Sequence, residues 1–269
     1  DLAVIDAAAM EEPIKDPRIL GLGEFMNYVG VVAADNDVLD KLLVAINEGK
    51  IIDGHSPSLD GNELNAYAVC GIRSDHECTT VEEMTDRISR GLYVQMREGS
   101  ACHNLRQLLK GVTAGNSRRC ILCSDDRHPE TILKLGHLDN HLRICVEEGI
   151  DPVIAIRMAS LNAAECYRLN DRGAIAPGLR ADIVLLDNLK DFNVQRVLIE
   201  GEEVALDNEY LPEVVRHDIS EMSKSFRVKD FSIEKLKLKL KSNRVNVIDI
   251  IPGGVVTGKS EAEVKLDNE

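Results

Sequence analysis

Short apolar runs alternate with amphipathic helical stretches from the beginning of this 269-residue chain to residue 168. This alternation constrains the fold strongly, because parallel strands need helical crossovers to connect them. The runs predict strands and the stretches between them predict helices, as in an α/β protein. The predicted strands cover residues 19–22, 51–52, 72–74, 92–96 and 119–123.

The helical stretches carry recognisable start and stop signals. Residues 37–48 place apolar side chains at helical spacing. Thr80 and Glu83 form a capping box that predicts the start of another helix. Further helices, each continuous, are predicted over residues 61–69, 129–149 and 151–169.

The texture of the sequence changes after residue 172. A strand is predicted over residues 181–187, and residues 193–205 are typical of a β-hairpin. Further on the chain is charged, and the alternating Lys and Leu of residues 235–241 indicate an edge strand, a solvated face or a basic binding patch. One more strand is predicted over residues 245–251. A small β unit is therefore expected beside the repeated strand–helix part.

Composition argues against several classes of function. The net charge of −14 and the pI near 5.0 argue against a nucleic-acid surface. No apolar run approaches the roughly 20 residues that a membrane span needs, and the N-terminal residues do not resemble a signal peptide. The seven cysteines, an odd number, indicate reduced thiols, with Cys120 and Cys123 in the core rather than in a redox or zinc site. We therefore expect a cytoplasmic protein.

Four residues that follow apolar runs are candidate metal ligands, namely Glu24, His55, His76 and Asp125. Active sites of parallel-strand barrels form at the C-terminal ends of the strands, so these side chains are expected to face one mouth. Imidazole and carboxylate suit zinc, iron or manganese, and such sites lower the pKa of bound water to about 7. The pattern therefore predicts a metal-dependent hydrolase.

Each of these residues alone has a structural alternative. A single His after a strand is usually a loop or capping residue, and Glu24 could pair with a nearby basic residue. Asp125, or equally Asp126, could cap the following helix. The set of four at strand ends is harder to explain in these ways.

Longer strings around these residues resemble the bacterial and archaeal adenine deaminases of the amidohydrolase superfamily. The strings are Leu-Gly-Leu-Gly-Glu24-Phe-Met-Asn, Ile-Asp-Gly-His55-Ser-Pro, Ser-Asp-His76-Glu-Cys-Thr-Thr and Ser-Asp125-Asp-Arg-His-Pro-Glu. Residues 173–184 also resemble the return of that superfamily into its β-sandwich. The similarity covers most of the chain and is weakest after residue 206.

The resemblance implies an α/β fold, the C-terminal portion of a metal-dependent (β/α)8 barrel with part of an accompanying β-sandwich. Residues 1–170 would supply barrel strands four to eight, and residues 171–205 a β-sandwich segment. Residues 206–269 would form a linker and the start of a further C-terminal domain. The His-x-His pair of the superfamily's first strand is absent. A central and C-terminal fragment with little or no activity of its own is therefore expected.

The resemblance also implies two divalent metal ions, manganese or iron rather than zinc, and hydrolysis of adenine to hypoxanthine and ammonia. Glu24 matches the carboxylate that bridges the metals, while His55 and His76 match the ligands of strands five and six. Asp125 matches the strand-eight Asp, which binds metal and takes the proton from the attacking water.

Other residues near the expected mouth are candidates for catalysis, substrate binding or positioning. Glu77 either contacts the purine ring in catalysis or is a charge ahead of the next helix. Arg97 and Glu98 either bind substrate or form a structural ion pair. Ser56 either bonds the base or caps a turn, and Asp126 is expected to orient a neighbouring ligand.

Two alternatives to adenine deamination stay open. Another amidohydrolase would use the same barrel ligands on a cyclic amide or a different aminopurine. A degenerate, non-catalytic barrel would bind a purine or a partner subunit, which the absent His-x-His pair favours. The expected partner is a small-molecule purine, with neither nucleic acid nor membrane, and exposed strand edges predict a homo-oligomer.

Overall fold

The computed structural model describes residues 4–224 and 228–266. Residues 1–3, 225–227 and 267–269 lie outside the described residues. The predicted barrel portion (residues 1–170) and the predicted linker and C-terminal domain (residues 206–269) include some of these residues. The prediction that the N-terminus is not a signal peptide also falls partly on them.

Parallel strands in chain order form the first part of the fold, as the alternating pattern predicts. They are β1 (Gly21–Phe25), β2 (Ile51–Gly54), β3 (Ser74–Asp75), β4 (Tyr93–Arg97) and β5 (Cys120–Cys123). β1 pairs with β2, and an isolated parallel bridge from Ile52 to Ile72 continues the order towards β3. β3 pairs with β4 and β4 with β5. Because each pair is parallel, the carboxyl ends of all these strands point the same way.

Helices connect consecutive strands and continue beyond β5. The crossovers are therefore helical, as parallel pairing requires. The helices are α1 (Ala7–Met10), α2 (Tyr28–Val32), α3 (Asn36–Asn47), α4 (Gly61–Val69), α5 (Val81–Ser89), α6 (Leu105–Leu109), α7 (Pro129–Leu135), α8 (Leu138–Glu147), α9 (Pro152–Ala159), α10 (Leu161–Cys166) and α11 (Ser220–Ser223), with 3₁₀ turns at Pro13–Lys15, Ser117–Arg119 and Ile233–Leu236.

The predicted capping box at the start of α5 is confirmed. The Glu83 amide donates to the Thr80 hydroxyl at 3.2 Å, and the Glu83 carboxylate accepts from the Thr80 amide at 3.2 Å. Asp151 caps α9 in a related way, since its side chain accepts from the Val153 amide at 2.9 Å. These contacts satisfy amides that the helix cannot pair internally.

The two long continuous helices predicted after Pro129 and Asp151 are wrong, because each is divided. Gly136 adopts a φ of +94° between α7 and α8, a conformation that ends a helix. Ser160 separates α9 from α10, with φ −130° and ψ −82°, and its hydroxyl donates to the Ile156 carbonyl at 2.6 Å. A serine hydroxyl that bonds the preceding turn competes with regular helix geometry.

Two strand predictions also need correction. The first strand begins and ends later than residues 19–22, so Glu24 lies inside β1 rather than beyond its end. The third consists of Ser74–Asp75, and Ile72 contributes only a bridge. The Lys and Leu alternation over residues 235–241 begins in a 3₁₀ turn and is not a strand. Its side chains are exposed, in keeping with a solvated face.

The hydrophobic core lies between the parallel strands and their helices. One cluster packs β4 and β5 against α5, α6, α8 and α9. A second packs β1 and β2 against α1, α3 and α4. Cys120 is fully buried in the first cluster, and burial raises the pKa of its thiol to about 12. Cys123 is half-buried, and burial also raises the pKa of its thiol, to about 11; both positions agree with the predicted place of these cysteines in the core.

An antiparallel sheet follows the parallel part. It runs in the order β6 (Ile183–Leu186), β7 (Val194–Ile199), β8 (Glu202–Leu206) and β9 (Glu209–Tyr210). The predicted hairpin is confirmed: Glu200 and Gly201 both have positive φ, as a tight type I′ turn requires. A second hairpin joins β10 (Arg244–Ile250) to β11 (Thr257–Glu263). Across residues 4–224 and 228–266, helices of the length and apolar character needed to cross a membrane are absent.

Phe192 fastens the antiparallel sheet to the parallel part. It precedes β7, yet its side chain is fully buried in the cluster formed by β4, β5 and their helices. Its φ of +52° is uncommon for a bulky residue and is strained. The burial of the aromatic ring therefore compensates for an unfavourable backbone conformation.

Replacement of Phe192 by Ala should lower the free energy of unfolding by about 3–5 kcal/mol, because a full aromatic side chain leaves the core. Chemical denaturation followed by circular dichroism measures the change. Phe231→Ala is the matched control, since that side chain is 74% exposed and its loss should cost less than about 0.5 kcal/mol. Equal effects of the two substitutions would show that Phe192 is not a fastening residue.

Candidate metal centre

Three of the predicted ligands converge at the carboxyl ends of neighbouring strands. Glu24 is the fourth residue of β1, His55 follows β2 directly, and His76 follows β3 directly. The Glu24 Oε1 atom lies 2.9 Å from His55 Nδ1 and 3.4 Å from His76 Nε2. The two imidazole nitrogens are 3.4 Å apart. Parallel pairing of the strands brings residues distant in sequence to this one edge.

The chemistry of this donor set fits a metal ion. One ligand atom each from Glu24, His55 and His76 lies within 4.8 Å of the others. A neutral imidazole nitrogen either donates or accepts, so if both nitrogens present lone pairs to the centre they repel each other and the Glu24 carboxylate. A cation that accepts both lone pairs satisfies all three groups, and imidazole with carboxylate suits transition metals.

Asp125 belongs to a second group that shares His76 with the first. Ligand atoms of His76, Glu77 and Asp125 also lie within 4.8 Å of one another. Asp125 follows the end of β5 by two residues and has a φ of +51°, which aspartate tolerates better than most residues. The four predicted ligands therefore form two overlapping groups rather than one tight cluster.

Glu77 lies closer to the imidazoles than its position before α5 suggests. Its Oε1 atom is 3.4 Å from both His55 Nδ1 and His76 Nε2. The side chain is buried, and it is separated by several residues from the first turn of α5. Glu77 is thus part of the centre, and its catalytic role stays a prediction.

Arg97 at the end of β4 joins Glu77 to Asp125. It donates to the two carboxylate oxygens of Glu77 at 2.5 and 3.1 Å and to Asp125 Oδ2 at 2.9 Å. It also donates to Asn104 at 3.3 Å, and its guanidinium is buried. Burial raises the pKa of Asp125, but hydrogen bonds from Arg97 and from the Asp126 amide outweigh it and hold the pKa below its usual range. Asp125 is therefore ionised at neutral pH.

The other predicted site residues occupy different positions. Glu98 contacts His103 Nδ1 at 2.8 Å. Ser56 is fully buried, and its hydroxyl has no hydrogen-bond partner among the described residues. Asp126 is exposed and contacts the centre through its backbone amide, which donates to Asp125 Oδ1 at 2.6 Å. Their predicted roles stay predictions.

Sequence reasoning missed a buried ion pair behind the two imidazoles. Asp75 immediately precedes His76, and Arg87 lies on α5; the pair is 2.9 Å apart, with side chains 0% and 1% exposed. Burial raises the pKa of Asp75, yet Arg87 and the amides of Ser56 and Glu77 hold the pKa below its usual range. Asp75 lies within the Ser-Asp-His string, which was the available signal. Arg87 gave none, because a charged helix residue usually predicts a solvated face.

Tyr67 was also missed and supports the ends of β1 and β2. Its hydroxyl accepts from the His55 amide at 2.8 Å and donates to the Phe25 carbonyl at 3.0 Å. Burial raises the pKa of Tyr67, so the hydroxyl stays protonated. Tyr67 therefore links the Phe25 carbonyl, one residue after Glu24, to the His55 amide.

A polar layer lies one step further down the strands. Asp53, two residues before His55, accepts from Ser74, from Gln95 at 2.9 Å and from Tyr167 at 3.2 Å. Gln95 also donates to Tyr167 at 3.1 Å. Residues two apart on a strand share a face, so this layer lies on the same side as the candidate ligands.

Comparison with known proteins reveals close relatives. An Amidohydrolase family model matches residues 3–204. The chain is 59% identical over 267 residues to "Adenine deaminase 2" of Desulfotalea psychrophila, covering 99% of this chain and 46% of that protein. It is 47% identical over 267 residues to "Adenine deaminase" of Clostridium acetobutylicum, covering 99% and 47%. The chain thus spans about half the length of the curated relatives it matches.

Solved structures share the fold at low sequence identity. A beta-aspartyl dipeptidase from Fervidobacterium islandicum AW-1 aligns with a TM-score of 0.58 and 15% identity, over 77% of this chain and 63% of that one. An enamidase described as a member of the amidohydrolase superfamily aligns with a TM-score of 0.50 and 22% identity, over 66% and 53%. These likenesses support an α/β fold for this chain. Because the family match extends over well more than half of the sequence, this chain belongs to the amidohydrolase family.

Proposed function

We propose that this chain forms part of a metal-dependent aminohydrolase that converts adenine to hypoxanthine and ammonia. The observation that carries the proposal is the convergence of Glu24, His55 and His76 at the carboxyl ends of adjacent parallel strands. The choice of adenine as substrate is supported by relatives named adenine deaminase, which are 47–59% identical over nearly the whole chain.

The proposed architecture follows the superfamily. We assign residues 1–170 to strands four to eight of a (β/α)8 barrel, with β1 to β5 as those strands. Residues 171–205 are assigned to a β-sandwich, and residues 206–269 to a linker and the start of a further domain. The parallel chain order of β1 to β5 and the antiparallel β6 to β9 support this assignment.

Two divalent ions, manganese or iron in preference to zinc, would be held by Glu24, His55, His76 and Asp125. Glu24 would be shared by the ions, as the resemblance implies, and its Oε1 atom lies 2.9 Å from His55 Nδ1 and 3.4 Å from His76 Nε2. When bound, the ions supply the Lewis acidity that generates a nucleophile from water at neutral pH.

Asp125 is the proposed proton carrier. It is held ionised beside Arg97 and can accept a proton from water and pass it to the leaving amine. In the net reaction the water oxygen bonds to the purine carbon, the exocyclic C–N bond breaks and ammonia leaves. Glu77 is proposed to contact the purine ring. The contacts of Arg97 favour the positioning of Glu77 and Asp125, while substrate binding by Ser56, Arg97 and Glu98 stays a prediction.

A place in cytoplasmic purine catabolism and a homo-oligomeric state complete the proposal. The free and mostly buried cysteines support a reducing compartment. The following experiments distinguish adenine deamination from hydrolysis of another amidohydrolase substrate and from a non-catalytic barrel.

His55→Ala and His76→Ala should each lower the metal content of the complete native protein, because each removes an imidazole ligand. Elemental analysis after dialysis measures the content, expected at about two ions per chain before substitution. His217→Ala, at an exposed histidine outside both ligand groups, should retain all the metal. Unchanged metal content in both ligand variants would overturn the ligand assignment.

Asp125→Asn should slow ammonia release from adenine by roughly 10²–10⁴-fold, since an amide cannot carry the proton. A coupled ammonia assay on the complete native protein measures turnover, with a cyclic amide substrate in parallel. The exposed neighbour Asp126→Asn should lose far less activity. Near-normal turnover by Asp125→Asn would rule out the proton role. Hydrolysis of only the cyclic amide by the unaltered protein would favour the other amidohydrolase reading, and no turnover of either would favour the non-catalytic barrel.

Arg97→Met should lower the free energy of unfolding of the metal-free protein by about 3–5 kcal/mol, because the buried Glu77 carboxylate would lose both hydrogen bonds from its guanidinium partner. Urea denaturation measures the loss. Arg106→Met removes an exposed arginine that pairs with Glu147 and Glu148, and should cost less than about 1 kcal/mol. Similar losses in both variants would argue against the bridging role of Arg97.

A further inference from the structure

The buried ion pair of Asp75 and Arg87 lies directly behind the two candidate metal imidazoles. Arg87 Nε donates to Asp75 Oδ2 at 2.9 Å. Asp75 is the last residue of β3, and Arg87 reaches it from α5. Transfer of two charges from water into the interior is costly, so pairs of this kind are a weak source of stability. The contacts of the pair suggest another task.

Asp75 holds the peptide units that follow both histidines. Its Oδ1 atom accepts from the Ser56 amide at 2.9 Å and from the Glu77 amide at 3.3 Å. Ser56 is the residue after His55, and Glu77 is the residue after His76. One carboxylate oxygen therefore sets the distance between the two chain segments that present the imidazoles.

Arg87 completes the hold on the first of these segments. Its Nη2 atom donates to the Ser56 carbonyl at 2.6 Å. The Ser56 residue is thus held at its amide by Asp75 and at its carbonyl by Arg87. The planar guanidinium can bond the carboxylate and the carbonyl at once, which a lysine ammonium does less well.

We infer that Asp75 and Arg87 are positioning residues that fix the spacing of His55 and His76 and thereby set the affinity of the centre for its metal. The inference rests on the proposed function, because it takes the two imidazoles to be ligands. Neither Asp75 nor Arg87 belongs to the groups that can hold the ion themselves.

The test is a titration of Mn²⁺ alone into the metal-stripped complete native protein, with free Mn²⁺ followed by electron paramagnetic resonance. Asp75→Asn should weaken the binding of Mn²⁺ by roughly 10–100-fold, the usual effect of losing a group that orients metal ligands. The urea midpoint of each metal-free variant is measured alongside, so that loss of affinity is separated from loss of stability.

Asn162→Ala is the matched control. Asn162 is equally buried, at 1% exposure, and donates to the carbonyls of Ser117 and Cys120, both at 2.7 Å. Cys120 is the first residue of β5 and Ser117 begins the 3₁₀ turn before it, so both carbonyls lie at the opposite end of that strand from Asp125. This variant should have a lower urea midpoint and unchanged Mn²⁺ affinity.

Unchanged affinity in Asp75→Asn, or an equal loss in Asn162→Ala, would overturn the inference. If Asp75→Asn does not fold, Arg87→Lys decides: it keeps the cation but disturbs the bond to Ser56, and unchanged affinity would again overturn the inference. His55→Ala in the same titration identifies the level of failure. If that variant binds normally, the ligand assignment fails together with the positioning role; if it binds weakly while Asp75→Asn binds normally, only the positioning role fails.

Discussion

The parallel register of β1 to β5 is the constraint on which the candidate centre depends. All these strands end on the same side, where Glu24 lies inside the end of β1 and His55 and His76 directly follow β2 and β3. Glu24, His55 and His76 are about 20 to 30 residues apart in sequence, yet their ligand atoms lie within 4.8 Å. A slip of one residue in any strand would turn its ligand to the opposite face. The convergence of the ligands therefore depends on strand pairing more than on any single sequence motif.

Buried charge surrounds this centre in an organised way. Arg97 neutralises Glu77 and Asp125 on one side, while Arg87 neutralises Asp75 behind the imidazoles. A protein with apolar residues of the same volume at these positions would be as stable or more stable, because desolvation of ion pairs is expensive. What apolar residues cannot supply is a fixed direction for peptide amides and carboxylates. The two arginines therefore contribute mainly by fixing the positions of neighbouring groups and less by stabilising the fold. Such fixed positions suit a centre whose ligands must converge.

Local patterns predicted much of this structure, and contacts between distant residues account for the site residues that were missed. The capping box of Thr80 and the β7–β8 hairpin depend on neighbouring residues, so the sequence displays them directly. Helical spacing continues through Gly136 and Ser160, so periodicity does not show the breaks, which lie in the backbone conformations of these two residues. Arg87 was missed because its partner lies on a strand rather than on its own helix. The ligand series and Arg97 were visible in the sequence, whereas Arg87 and Tyr67 were not.

The buried ring of Phe192 has a consequence for how the chain responds to stress. A residue just outside the antiparallel sheet fills space in the parallel part, so the two regions share one hydrophobic cluster. Local opening of β6 and β7 would have to withdraw that ring and expose the cluster to water. The sheet therefore does not behave as an independent appendage. The sheet and the parallel part would therefore unfold together on heating or during proteolysis. Damage to the sheet would also destabilise the strands that carry the metal ligands.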